Sequence, residues 1–332
     1  MDKVDVQQLF FQKIKECTPA HLSFVDDVAE LLNISNDSVY RRIRGEKPIS
    51  FEEIQKLCSH YKLSLDQFLN LQSDAFTFRG QLKNDEGDSL ENWLQNLKQN
   101  FQLFNSFQSK QMSILMKDIT PFMHFQIPEL AIFKFYFWMK SILNSVGMRG
   151  VKLDIDDVRY TKYLEQSNQI VELYHSIPTT EIWNIESVNS TIRQINFYHE
   201  AGLFPNRGTT ILLYEKLEDL INHAEQQAEA GKTFAFGKSP KPTNVEYRLF
   251  VNELILGDNT YLLELNGSKM VFLNHSVLFF AATSDLKFTQ SIASNFESLE
   301  KKSTMISSIG QKERSVFFNS IRTIIRARKD LV

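Results

Sequence analysis

Four basic side chains, Arg41, Arg42, Arg44 and Lys47, fall within seven residues of a 332-residue chain whose formal charge is only -3. Just ahead of them stand Ser35, Asn36, Asp37, Ser38 and Tyr40. These residue types share a chemistry. A guanidinium pairs with guanine, a carboxamide with adenine, and a carboxylate accepts from cytosine, while hydroxyl and ammonium groups meet phosphate oxygens. Residues 1–70 hold nine basic and eleven acidic side chains, so a nucleic-acid contact rests on this local patch and not on a basic coat. Other chemistries find less support. The seven histidines (His21, His60, His124, His175, His199, His223 and His275) are scattered, with no H-x-H or H-E-x-x-H spacing. There is no glycine-rich phosphate loop and no G-x-S-x-G. Cys17 and Cys58 are too few for a disulfide framework or a zinc knuckle. His175 and His199-Glu200 sit on predicted helices without a spaced catalytic motif. The expectation is a protein that is not an enzyme, with no catalytic residue, metal or cofactor.

The patch needs elements to hold it. The first 70 residues read as five short helices. The first spans about Val6 to Glu16. Ser23 with Asp26 opens the second, whose apolar face is Phe24, Val28, Leu31 and Leu32. Asn33-Ile34 is a tight turn, and Ser35 caps a third helix that stops at Gly45. Ser50 with Glu53 forms a capping box for a fourth helix ending near His60, and Ser64 caps a fifth through Leu69. Leu9, Ile14, Val28, Leu31, Val39, Ile43, Ile54, Leu57, Leu63, Leu65 and Phe68 supply one small core. With Val39 and Ile43 inward, Asn36, Asp37, Tyr40, Arg41 and Arg44 point out. Helix two, turn and helix three then have the build of a helix-turn-helix, with Ala29 small where the two helices cross.

The stretch from Ser35 to Lys47, S-N-D-S-V-Y-R-R-I-R-G-E-K, resembles the Cro/C1-type (XRE) helix-turn-helix family, closest to the BetR-like regulators of Bacteroidetes. Pro48, the Ile54-x-x-Leu57-Cys58 pattern and the run Tyr61 to Leu69 extend the likeness over about Asp5 to Leu71. The resemblance implies a five-helix, lambda-repressor-like domain that binds double-stranded DNA, with Asn36, Asp37 and Arg41 at base-reading positions. Two features depart from the family pattern. Phe24-Val25 stands where a polar Thr/Ser-Gln is common, and Ile43 lies one position later than the usual second inward residue.

Beyond a junction at Leu71–Asp74, residues 75–82 alternate with period two and read as a strand. A loop from Lys83 to Asp88 leads to a long helix from Ser89 to about Lys117, and further helices are predicted at about 128–145, 155–176, 181–202 and 208–231. The stretch Phe122 to Trp138 is so apolar all round that its helix must be buried. Lys238-Ser239-Pro240-Lys241-Pro242 marks a linker, and four turn-punctuated apolar runs from Val245 to Thr283 predict an antiparallel meander. Two helices, about Leu286–Ser307 and Gln311–Leu331, end the chain. The first offers Phe288, Ile292, Phe296 and Leu299 to cover a face made of Leu249, Val251, Ile255, Leu263, Leu265, Val271 and Leu273.

The fold class expected is therefore mainly α. A DNA-binding domain (1–72) precedes a helical sensing or oligomerisation region (73–236) and a small antiparallel sheet with two helices (237–332). The most apolar run, Leu130 to Met139, is ten residues long and contains Lys134, too short to span a membrane. With no apolar leader after Met1, the expectation is a soluble cytoplasmic protein. Because one short helix reads few bases, the pattern predicts a homodimer, with a small-molecule or protein effector for the C-terminal region. A helical protein-interaction scaffold is the alternative.

Overall fold

The computed structural model describes residues 5–18, 23–61, 63, 65–69, 76–80, 89–254 and 257–332. The chain divides into two units, Met1–Thr77 and Phe78–Val332.

In the first unit, α1 (Val6–Cys17), α2 (Phe24–Leu32), α3 (Asn36–Ile43), α4 (Phe51–His60) and α5 (Leu65–Leu69) follow the expected order. Their ends obey the capping chemistry of the sequence. Asn33 takes the left-handed conformation that closes α2, and the Ser35 side chain accepts from the Ser38 N–H at the start of α3. The Ser50–Glu53 capping box of α4 is present in both directions. Ser23 makes no side-chain cap on α2. Phe10, Phe11, Ile14, Val28, Ala29, Leu32, Val39 and Leu57 form the buried core. Leu9, expected inside, is exposed, because α1 is rotated to put Phe10, Phe11 and Ile14 inward. The predicted cap Ser64 and the junction 71–74 lie outside the described residues.

The second unit corrects the mainly α expectation. It is built on an eight-stranded mixed sheet in the order β1-β7-β6-β5-β2-β3-β4-β8. After β1 (Arg79–Gly80) and α6 (Leu90–Asn105), the chain forms β2 (Lys110–Met116), where the sequence pattern suggested continued helix. α7 (Pro121–His124), α8 (Pro128–Phe137) and α9 (Thr161–Tyr174) carry it to β3 (Thr179–Trp183), which lies where a helix from 181 was expected. α10 (Asn189–Glu200) and α11 (Arg207–Ala230) then lead to β4 (Tyr247–Val251). β2, β3 and β4 are mutually parallel neighbours, as strands joined by long helical connections can be. The chain continues through β5 (Thr260–Leu265), β6 (Ser268–Asn274), β7 (Phe280–Thr283), α12 (Leu286–Lys301), β8 (Thr304–Met305) and α13 (Gln311–Lys329).

Only β5, β6 and β7 form the expected meander. The β5–β6 turn is Asn266-Gly267, both at positive φ, as its sequence predicts. β4 leaves the meander and pairs with β3 and β8, so the sheet runs across the boundary expected at 236/237. Of the predicted 75–82 strand, residues 76–80 are described, and only Arg79 and Gly80 are in strand, paired with Ala282 and Ala281 at the sheet edge, whereas 76–78 take no regular structure. Residues 81–82 and the loop 83–88 lie outside the described residues.

The sheet separates two cores. One face meets α6 to α11 and α13 through Met112, Ile114, Met116, Trp183, Leu249, Leu263 and Leu265. The other face, with Leu115, Ile182, Phe250, Leu262 and Val271, is covered by α12 through Phe288, Ile292, Phe296 and Leu299. The helix residues are those expected, but the covered face differs. Val271 and Leu273 lie under α12 while Leu249, Val251, Leu263 and Leu265 face away. Ile255 lies outside the described residues. The register explains this: Val271 is opposite Leu262, and opposite residues share a face, so residue parity does not carry unchanged through the hairpin.

At the centre of the sheet Glu181 is 1% exposed. Its carboxylate accepts from Tyr174 Oη (2.7 Å), Trp183 Nε1 (2.8 Å) and Tyr247 Oη (2.7 Å), which ties β3 to α9 and β4. Burial pushes its pKa up, against the three donors that lower it. Replacing Glu181 by Leu would orphan two buried hydroxyls and an indole N–H, so it should destabilise the second unit by about 3 kcal/mol or more. Glu181→Gln, which keeps an acceptor, should lose less; denaturant melts followed by tryptophan fluorescence measure both.

Candidate nucleic-acid interface

Asp37, Tyr40, Arg41 and Arg44 recur at the i, i+3, i+4, i+7 spacing of one helical face, and all four are exposed, Tyr40 at 48%. Val39, buried, and Ile43, half-buried, pack on the opposite side into the core. The structure thus brings one acceptor, one aromatic hydroxyl and two guanidinium groups onto the outer surface of α3. Lys47, just beyond it, is exposed as well. Ser35 and Ser38 are joined by a 3.1 Å hydroxyl contact at the helix start. Asn36 donates from Nδ2 to Asp26 Oδ1 (2.7 Å) and so links the start of α3 to α2. The same bond helps hold the Asp26 carboxyl below its usual range, after a larger contribution from Ser23.

Arg42 does not share that face. It is 4% exposed, and its Nε and Nη2 donate to Glu53 Oε2 (3.0 Å) and Oε1 (2.6 Å) while Nη1 donates to the Ser38 carbonyl (3.1 Å). The reason is helical geometry: position 42 follows Val39 by three residues and so falls on the inward side. The Glu53 carboxylate serves twice, because Oε2 also accepts from the Ser50 N–H in the capping box. Burial would raise the Glu53 pKa, yet Arg42 and the Ser50 N–H together hold it below the ordinary value of 4.5.

The turn after α3 is held from α1, which the sequence reading missed. Gln7 Nε2 donates to the carbonyls of Arg42 (2.7 Å) and Lys47 (2.8 Å), and its Oε1 accepts from the Ile49 N–H (2.9 Å). Gln8 Nε2 donates to the Arg44 carbonyl (2.9 Å). Gly45 sits in this clamp at φ +77°, where a Cβ would come within 2.3 Å of Asp5 Oδ2. Nothing in the spacing of Gln7 and Gln8 signals this role; only the polar face of an otherwise core-packing helix hints at it.

Two surface ion pairs cover the outer arginines. Arg44 forms a two-point contact with Glu46 (2.6 and 3.1 Å), which raises its pKa, and Arg41 Nε lies 3.8 Å from Glu46. These pairs are exposed, so a phosphate or base edge can replace them at little cost.

Other candidates resolve into packing. On α13, Arg322 pairs with Glu225 (2.6 Å), Arg326 with Glu218 (2.9 Å from Nε) and Lys329 with Glu215 (3.7 Å), all on α11. Arg314, buried, donates to the carbonyls of Ile306 and Ile309. These four basic side chains of the helix are therefore partnered within the second unit. His199 pairs with Thr210 (2.9 Å), while burial, aided by His223, pushes His175 down to about 4. Cys58 is partly buried and its thiol is pushed up, the opposite of activation. The side chain of Cys17 lies outside the described residues. Among the described residues no group of three or more His, Cys, Asp or Glu side chains is placed to hold a metal, and no helix is long and apolar enough to cross a membrane.

Residues 25–68, from α2 into α5, match the family model described as helix-turn-helix. No curated protein and no solved structure matches the chain.

Arg42→Ala should destabilise the N-terminal unit by about 3 kcal/mol, since it leaves the Glu53 carboxylate without its buried partner. Arg41→Ala should change stability by less than ~0.5 kcal/mol. Because the Glu53 pKa is depressed on folding, its contribution is present above pH 4.5 and is lost as the pH falls further. Thermal melts of both variants between neutral pH and pH 3 check the ranking and the sign.

Proposed function

We propose that the chain is a sequence-specific, DNA-binding transcriptional regulator that acts as a homodimer in the cytoplasm. Its second unit senses an effector or assembles the dimer. The observation that carries this reading is the outer face of α3, free of core contacts within a stretch that matches a helix-turn-helix model. A major groove admits one helix, and this helix presents its Asp37, Tyr40 and Arg41 side chains toward base edges. Arg44 and Lys47, at the helix end, meet phosphates, and Ser35 and Ser38 do so at its start. Asn36 contributes by holding the helix start against Asp26 and by its remaining amide hydrogen. Arg42 serves the fold and touches no DNA. A dimer supplies the second half-site that specificity requires.

Selection of bound duplexes from a random pool should enrich a two-part, symmetric site. On that site Arg41→Ala should lose ~1–3 kcal/mol of discrimination against random DNA. Arg44→Ala should weaken specific and random duplexes alike and flatten the salt dependence. Equal losses on both DNAs for Arg41→Ala would move base reading off α3. Failure to enrich any sequence would contradict the function itself.

A further inference from the structure

At the carboxyl ends of β2 and β3, a cavity of about 380 Å³ opens between the start of α7, the start of α10 and the loop before β5. Its polar lining includes Asp118, His124, Lys134, Thr191, Gln194 and Tyr261. Ligands in sheets with parallel strands gather at such carboxyl ends, where connecting segments diverge. Lys134 is the unusual member. It projects from a helix that, beyond Glu129 in its first turn, is otherwise apolar, and it is only 5% exposed. Its Nζ donates to Thr191 Oγ1 (3.0 Å) and Gln194 Oε1 (2.6 Å), both neutral. His124, also buried, bonds Thr191 Oγ1 through Nε2 (3.0 Å) and the Thr120 carbonyl through Nδ1 (2.9 Å). The Tyr261 hydroxyl lines the same space, 5% exposed and without a hydrogen bond of good geometry. Asn259, its polar neighbour, is engaged on both amide atoms by the Asp118 backbone.

A buried ammonium with only neutral partners and a buried hydroxyl without a well-formed hydrogen bond are both costly, and an anion in the cavity would offset both costs. We propose that this cavity binds a small organic carboxylate, whose oxygens pair with Lys134 Nζ and the Tyr261 hydroxyl. A single buried cation matches a single negative charge, and the nearby Asp118 carboxylate repels a dianion such as phosphate. Trp138, Ile119 and Val277 give the cavity apolar walls suited to a carbon skeleton. In the regulator proposed above, this would be the effector site; the binding itself does not depend on that reading, because it is measured without DNA.

Protonation gives the site a signature. Burial lowers the Lys134 pKa to about 7, with Asp118 acting in the other direction. The charged and titratable groups around it are Asp118, His124, Tyr261, Lys117, Asp258 and His275; Lys117 and Asp258 pair with each other at 2.9 Å. Burial and the Lys134 charge keep His124 neutral. Burial thus brings loss of the Lys134 proton down toward neutral pH, and an anion that requires the ammonium draws a proton in as the pH rises.

Calorimetric titration of the full chain with the monocarboxylates acetate, butyrate and benzoate, and separately with inorganic phosphate, tests this. At least one carboxylate should saturate with a dissociation constant below ~1 mM. Binding should take up more protons at pH 8 than at pH 6, read from its dependence on buffer ionisation heat. Lys134→Met should remain folded, since it removes a buried cation, and should lose binding at least tenfold. Tyr261→Phe should weaken it several-fold. Saturation by phosphate alone, no saturation by any probe, or undiminished binding to Lys134→Met would each overturn the proposal.

Discussion

The ion pair between buried Arg42 and half-buried Glu53 fixes which way α3 faces. A guanidinium out of water must have its donors met, and here a carboxylate and the Ser38 carbonyl meet them from two directions. Once Arg42 is locked inward beside Val39, the 3.6-residue period sends Asp37, Tyr40, Arg41 and Arg44 outward together. The pair also binds α3 to the start of α4, because Glu53 is the capping-box residue of that helix. Gln7 and Gln8 add the constraint from α1, holding the turn that ends α3 at the one position where glycine is required. Orientation of the exposed face is thus set by polar contacts as well as by the small apolar core.

The second unit depends on a similar device. Glu181 places a carboxylate in the middle of an apolar sheet, where only three donors from three directions make it tolerable. Both units therefore use an acid withdrawn wholly or partly from water, with partners on neighbouring elements, to specify how those elements meet. The difference lies in the partners. Glu53 has a cation and is held ionised, whereas Glu181 has only neutral donors and burial pushes its pKa upward.

Much of the first unit was legible because its information is local. Caps at Ser35 and Ser50, the Asn33 turn, the stop at Gly45 and the 3.6-residue apolar period each lie within a few residues of what they determine. Arg42 was not legible as a structural residue, since its partner is eleven positions away and its type matches its exposed neighbours. The second unit was harder for a physical reason. β2 is buried from Met112 through Met116, so the alternation that marks a strand is absent and the run looks like buried helix. β3 is entirely buried with a charged residue at its centre, which no periodicity explains. The Asn266-Gly267 hairpin was readable because its turn chemistry is local. The pairing of β4 with β3 instead of β5 is a choice between distant segments, set by the core that α10 and α11 build between them.

The central claim is that α3 presents Arg41 outward for reading while Arg42 is withheld for structure. Arginine side-chain Nε–H resonances of the full chain, followed by NMR while the selected duplex is added, address it directly. The account predicts that Arg41 shifts on binding, and that Arg42, slow to exchange with water in the free protein, keeps its position and its protection. A shift or loss of protection at Arg42 with Arg41 unmoved would contradict it.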